Sequence, residues 1–97
     1  MLSLTPAQRR FLRSQAHSLN PVVMIGDAGL TDAVLKEADN SLKSHELIKI
    51  KVAGDDRDLR ESIMTEICTK LKAASVQHIG KTLIIFRPAK KPKLKLP

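Results

Sequence analysis

Residues 22–34 read VVMIGDAGLTDAV: an apolar run, a turn with glycines three apart, then a segment with helical spacing. The chain has only four glycines, and Gly26 and Gly29 are two of them. A strand that runs into a helix through Gly-x-x-Gly can use glycine in two ways. Glycine reaches backbone conformations closed to other residues. Its missing side chain also lets an outside group approach the main-chain N–H groups at a helix start. In either case the strand–turn–helix unit points to an α/β fold.

Working outward, LTPAQRRFLRSQAHSL opens a first helix. Thr5 is the expected N-cap, Pro6 suits the first helical position and Gln8 completes a capping box. Leu12, Ala16 and Leu19 make an inward stripe, while Arg10, Arg13 and His17, with Arg9 beside them, make a basic ridge. Asn20-Pro21 ends this helix, and Val22–Ile25 reads as a strand buried on both faces. After the glycines, Thr31 or Asp32 starts a second helix with Val34, Ala38 and Leu42 inside. In HELIKIKVAG the period changes to two: Ile48, Ile50 and Val52 face one way, Leu47, Lys49 and Lys51 the other. Asp55 or Asp56 caps a third helix, whose row Leu59, Ile63, Ile67 and Leu71 is expected in the core beside Met64 and Cys68. SVQHIGKTLIIFRP reads as two strands joined at Gly80-Lys81.

The predicted order is helix, strand, helix, strand, helix, strand, strand. This makes a single α/β domain over residues 1–88, with a mixed four-stranded sheet and three helices. Residues 89–97, AKKPKLKLP, read as a flexible basic tail with nothing to pack. One cysteine excludes an internal disulfide, and no apolar run approaches the ~20 residues of a membrane helix. The start of the chain does not read as a signal peptide. A soluble, cytoplasmic monomer is expected.

Charge narrows the partner. The chain carries +7, unevenly placed. Residues 1–26 hold three Arg and no acid, and residues 67–97 hold eight Lys or Arg and no acid. All ten acids lie between Asp27 and Glu66. If the two basic ends meet on one face, that face attracts a polyanion. Catalytic constellations are not legible. His17, His45 and His78 are scattered, no zinc spacing or nucleophile elbow occurs, and Asp55, Asp56 and Asp58 sit where helix-capping acids belong. No enzyme activity, metal or cofactor is expected. With two Phe and no Tyr or Trp there is no aromatic platform for splayed bases, which favours backbone and shape recognition of structured RNA. A protein-interaction adaptor and a small DNA-binding protein are the alternatives.

The segments LTPAQRRFLRSQAHSLNPVVMIGDAGLTDAV, HELIKIKV and HIGKTLIIFRP, in this order, resemble the YhbY proteins of the CRM-domain family over roughly residues 2 to 90. The resemblance implies a fold related to the C-terminal domain of bacterial initiation factor three. It also implies RNA binding through the Gly-x-x-Gly loop and association with precursors of the large ribosomal subunit. The loop then falls on Gly26, Asp27, Ala28 and Gly29, and the family's basic flank on Arg9, Arg10 and Arg13. Lys81, Arg87, Lys90 and Lys91 are expected to add charge to the same interface. The acidic Asp27 departs from the basic or polar residue that family members often carry in the loop; it is free to cap the loop instead.

Overall fold

Each helix begins at a capping residue the sequence offers. The computed structural model describes residues 2–97. Helix α1 (Pro6–Ala16) starts at Thr5, whose hydroxyl accepts the Gln8 N–H at 3.1 Å while the Gln8 side chain accepts the Thr5 N–H at 3.0 Å. Helix α2 (Asp32–His45) is capped by Thr31 and α3 (Arg57–Leu71) by Asp56. Between them run β1 (Pro21–Ile25) and β2 (Leu47–Val52), and the hairpin of β3 (Ala74–Ile79) and β4 (Thr82–Phe86) ends the domain. The element order is the one the sequence predicts.

The sheet order is β1-β2-β4-β3, with β1 parallel to β2 and the other pairs antiparallel. One face carries Val23, Ile25, Ile48, Ile50, Val52, Leu83 and Ile85. It is closed by Ala38 and Leu42 of α2 and by Ile63, Met64, Ile67 and Cys68 of α3. The opposite face is covered only in part: Leu12 and Ala16 of α1 pack on Leu47, Val76, Ile84 and Phe86. Each such fully buried aliphatic side chain contributes about 1.5–3 kcal/mol relative to exposure.

Five sequence expectations change. Helix α1 stops at Ala16, because Asn20-Pro21 must be extended, and Leu19 therefore lies beyond the helix and is exposed. Strand β1 is not buried on both faces: Val23 and Ile25 point into the core, but Val22 and Met24 are 43% and 62% exposed. The strand sits at the sheet edge, whereas α1 packs mainly on β2, β3 and β4. Leu59 is 56% exposed, and Arg60 takes the inward position in the first turn of α3.

The fourth concerns the C-terminal residues, which fold back onto the domain. Glu46, only 1% exposed, accepts the N–H groups of Ala89 at 2.9 Å, Lys93 at 2.8 Å and Leu94 at 3.1 Å. Leu94 and Leu96 join the cluster under α1, and the Gln8 amide donates to the Pro97 carbonyl. A basic segment with two leucines two apart can dock its apolar side while its lysines stay in water. Glu46 holds a backbone φ of 64°, ψ of −48°, a strained conformation for a residue with a side chain. Its carboxylate is what the segment folds around.

Arg87 is also placed differently from the expectation of a free surface cation. Its guanidinium donates to the Asp39 carboxylate at 2.8 Å, the Leu71 carbonyl at 3.0 Å and the Asp39 carbonyl at 3.1 Å. It ties the end of β4 to α2 and to the last residue of α3. The Asp39 carboxyl is held below its ordinary value first by the Arg87 hydrogen bond and then by Lys43.

Two outcomes follow from these contacts. Arg87→Ala leaves the Asp39 carboxylate with Lys43 alone and removes the side-chain donor to the Leu71 carbonyl; it is expected to destabilise the fold by about 2 kcal/mol, read as a lower denaturation midpoint at unchanged m. For Glu46, burial pushes the carboxyl up, but the three amide donors outweigh it and hold the pKa below its ordinary value. Its stabilisation is therefore present above the ordinary carboxylate range and is lost as pH falls through the lowered folded value. Hydrogen exchange at Lys93 and Leu94 is expected to be slow at pH 7. It should accelerate, beyond the intrinsic pH effect, in Glu46→Gln at pH 7 and in the unmodified protein at acid pH.

Candidate nucleic-acid interface

Parallel pairing of β1 with β2 decides where the glycine loop lies. The two strands end side by side, and the Ala53 N–H donates to the Ile25 carbonyl at 2.8 Å. Strand β4 begins at the same edge, where the Val52 N–H donates to the Lys81 carbonyl at 2.8 Å. The Gly26–Gly29 loop, the Ala53–Asp55 turn and the Gly80-Lys81 hairpin therefore share one edge of the sheet. The buried Arg60 braces this edge from beneath. Its Nη1 donates to the Gly54 carbonyl at 3.0 Å and its Nε to His78 Nε2 at 3.1 Å. With Nε2 accepting from Arg60, the single ring proton lies on Nδ1, which faces the Glu61 carboxylate at 2.6 Å; the Gly80 carbonyl lies 3.1 Å from the same Nε2.

The loop itself is a turn closed by Gly29 N–H donating to the Gly26 carbonyl at 3.0 Å, with Thr31 N–H donating to the Gly29 carbonyl at 3.1 Å. Gly29 has φ of 75°, the left-handed region that disfavours side chains, so the turn requires it. Gly26 lies outside that region, and a Cβ built on it meets nothing within 4 Å. Neither backbone conformation nor packing inside the protein asks for glycine at 26. Among the described residues, the N–H groups of Asp27, Ala28 and Leu30 find no acceptor in the protein. They adjoin the first turn of α2, whose dipole favours a negative charge at this point. Asp27 and Ala28 are exposed. The Asp27 carboxylate makes no hydrogen bond to the loop, so it does not cap it.

The sequence-expected cations divide into three groups. Arg10 and Arg13 are exposed on the outer face of α1 and have no carboxylate partner among the described residues. Arg13 and His17 border a shallow cleft with Lys49, Gln77, Ile79 and Thr82, on the loop-side half of the sheet. Lys81 stands at the loop edge and pairs with Asp55 at 3.0 Å; its hydrogen bond and charge hold the Asp55 carboxyl below the ordinary range. Arg9 is half-buried, its guanidinium donating to the Ser75 carbonyl, so it fastens α1 to β3. Arg87, Lys90 and Lys91 lie beyond the other end of β4, about 17 Å away along a five-residue strand. Arg13, His17 and Lys81 thus lie toward the loop end of the sheet, whereas Arg87 and the C-terminal lysines lie toward the other end and form a separate patch.

The structure adds one residue that spacing misplaces and two whose face spacing had given. Leu59 lines a cleft with Gly29, Leu30 and Ile63, so the loop has an apolar flank on its α3 side. Lys49 and Lys51 share a sheet face with Leu47, and the signal for them is the alternation itself. A strand face that is apolar at one end and cationic at the other is covered over only half its length.

The chain matches the family model of the CRS1/YhbY (CRM) domain over residues 4–87. It is 50% identical to an RNA-binding protein of Haemophilus influenzae over 97 residues, covering all of this chain and 98% of the relative. It is 38% identical to Probable RNA-binding protein PA4753 of Pseudomonas aeruginosa over 91 residues, covering 94% and 88%. The solution structure of the hypothetical protein SAV1595 from Staphylococcus aureus superposes with a TM-score of 0.86 at 32% identity, over 98% of this chain and 100% of the other. A domain model spanning most of the chain, near full-length relatives and a matching fold together show that this protein belongs to the CRS1/YhbY (CRM) domain family.

Proposed function

We propose that this protein is a non-enzymatic RNA-binding factor that acts as a cytoplasmic monomer on structured ribosomal RNA in precursors of the large subunit, and so assists ribosome assembly. The observation that carries the reading is Gly26. A glycine without an internal reason, in an exposed turn with unused N–H groups, suits close approach by a sugar-phosphate backbone. Arg13 borders the loop-side cleft and Lys81 stands at the hairpin beside the loop; on this reading they and the exposed Arg10 supply the long-range attraction. The relatives named as RNA-binding proteins support RNA as the ligand. The large-subunit precursor is proposed from the resemblance in the sequence. The one thiol, Cys68, is fully buried, and burial pushes its pKa up to about 11, which leaves it a poor nucleophile.

Sedimentation of the native protein from lysate through a sucrose gradient tests the partner. Migration with the large subunit or its precursors, abolished by RNase, is the expected result; protein at the top of the gradient in gentle salt would overturn it. Gly26→Asn tests the site. It places a neutral side chain where the fold has room, so stability is expected to change by less than about 1 kcal/mol. Affinity for large-subunit rRNA is expected to fall on the order of tenfold, about 1.4 kcal/mol. Arg10→Gln with Arg13→Gln is expected to make the dependence of log K on log salt shallower by about 1.5, because each lost phosphate contact removes ~0.7–0.9. An unchanged slope would remove the α1 ridge from the interface.

A further inference from the structure

Two helices close one face of the four-stranded sheet, whereas α1 and the folded-back C-terminal residues close only half of the other. What they leave open is specific. Strand register aligns Met24 with Lys51, Lys51 with Thr82, and Thr82 with Ile79, so one row crosses all four strands. Its two ends are apolar and exposed, Met24 at 62% and Ile79 at 57%, with the exposed Lys51 between them. Lys49 lies one pleat further along the same face, beside the cleft bordered by Arg13 and His17. This half-face carries cations, amide and hydroxyl groups and two flexible aliphatic ends, and none of its residues is a carboxylate.

A sheet face with lysines in its centre gains nothing from covering by another apolar surface, since the ammonium groups would lose their water unpaired. It suits a partner that brings anions at regular spacing and flat apolar faces between them. A nucleic-acid strand has that pattern: phosphates can pair with Lys51, Lys49 and Arg13, while ribose and base faces rest on the Met24 thioether and the Ile79 side chain. Met24 is two residues from Gly26, and Ile79 directly precedes the Gly80-Lys81 hairpin at the same edge. The surface is therefore continuous with the loop. We propose that the RNA strand clamped at the Gly26–Gly29 loop continues across this bare half of the sheet, held there by strand-borne lysines and aliphatic contacts in place of an aromatic platform. This rests on the reading of the protein as an RNA binder at the loop.

The test uses the full chain with protein-free large-subunit rRNA as the probe, at several salt concentrations. Lys49→Gln with Lys51→Gln is expected to weaken binding on the order of tenfold and to make the salt slope shallower by about 1.5. Met24→Ser with Ile79→Ser is expected to weaken binding severalfold while the slope stays unchanged. Both pairs are exposed or partly exposed, and wild-type melting should be retained. If the wild type binds, Gly26→Asn weakens binding, and both pairs keep wild-type affinity and slope, the sheet path is wrong and the loop reading stands. If the wild type does not bind rRNA, the loop reading fails first. Ultraviolet cross-linking of the unmutated protein gives an answer independent of any variant: adducts on peptides containing Met24 or Ile79 are expected. Adducts confined to the loop and α1 would overturn the proposal, and so would binding of an acidic polypeptide to the same face with rRNA unable to displace it.

Discussion

The parallel pairing of β1 and β2 is the constraint on which the other features depend. Two parallel neighbours cannot be joined by a tight turn; the chain must leave the end of β1, cross the sheet as α2 and return. The exit turn is the Gly26–Gly29 loop, so topology places it at the carboxyl end of a strand and at the amino end of a helix. In open α/β sheets this is the edge where ligands bind, because strand ends and helix dipoles converge there. Antiparallel pairing of β4 with β2 then brings the β3–β4 hairpin to the same edge. Loop, hairpin and the turn before α3 are neighbours because of strand direction.

The two glycines of the loop have different physical duties. Gly29 is demanded by a left-handed backbone, which is the ordinary reason for glycine in a turn. Gly26 has open space around it and no such backbone demand. On the proposed function, the side chain omitted there leaves room for an RNA backbone, and the neighbouring amides, which have no acceptor in the protein, offer it donors. Arg60 and His78 brace the edge beneath.

Charge in this molecule is divided between holding the fold together and facing outward. Arg9 and Arg87 are bound to carbonyl and carboxylate oxygens and fasten elements to one another. Glu46 is a buried anion satisfied by three backbone amides of the C-terminal segment, an arrangement that makes this segment part of the domain. Arg10, Arg13, Lys49 and Lys51 have no such partners among the described residues and are exposed or partly exposed. A count of basic residues cannot separate these two populations, since guanidinium groups serve both purposes equally well.

Local sequence determined a great deal. The caps at Thr5, Thr31 and Asp56, the strand period in Leu47–Val52 and the Gly80 hairpin are short-range matters of hydrogen-bond geometry and side-chain spacing. They placed every element in order and located the loop. Where burial was concerned, spacing along one helix or strand was insufficient. Leu59 extends the apolar row of α3 in sequence, yet the helix end turns Arg60 inward because Gly54 and His78 offer acceptors there. Val22 and Met24 look like core in an apolar run, but β1 is an edge strand and α1 packs mainly on the other three, which leaves them exposed. Leu94 and Leu96 look like part of a mobile tail until Glu46, far away in sequence, supplies the anion that holds it. These outcomes depend on which element lies opposite, and only the tertiary structure decides that, because burial and pairing belong to two surfaces and the sequence of either segment describes only one.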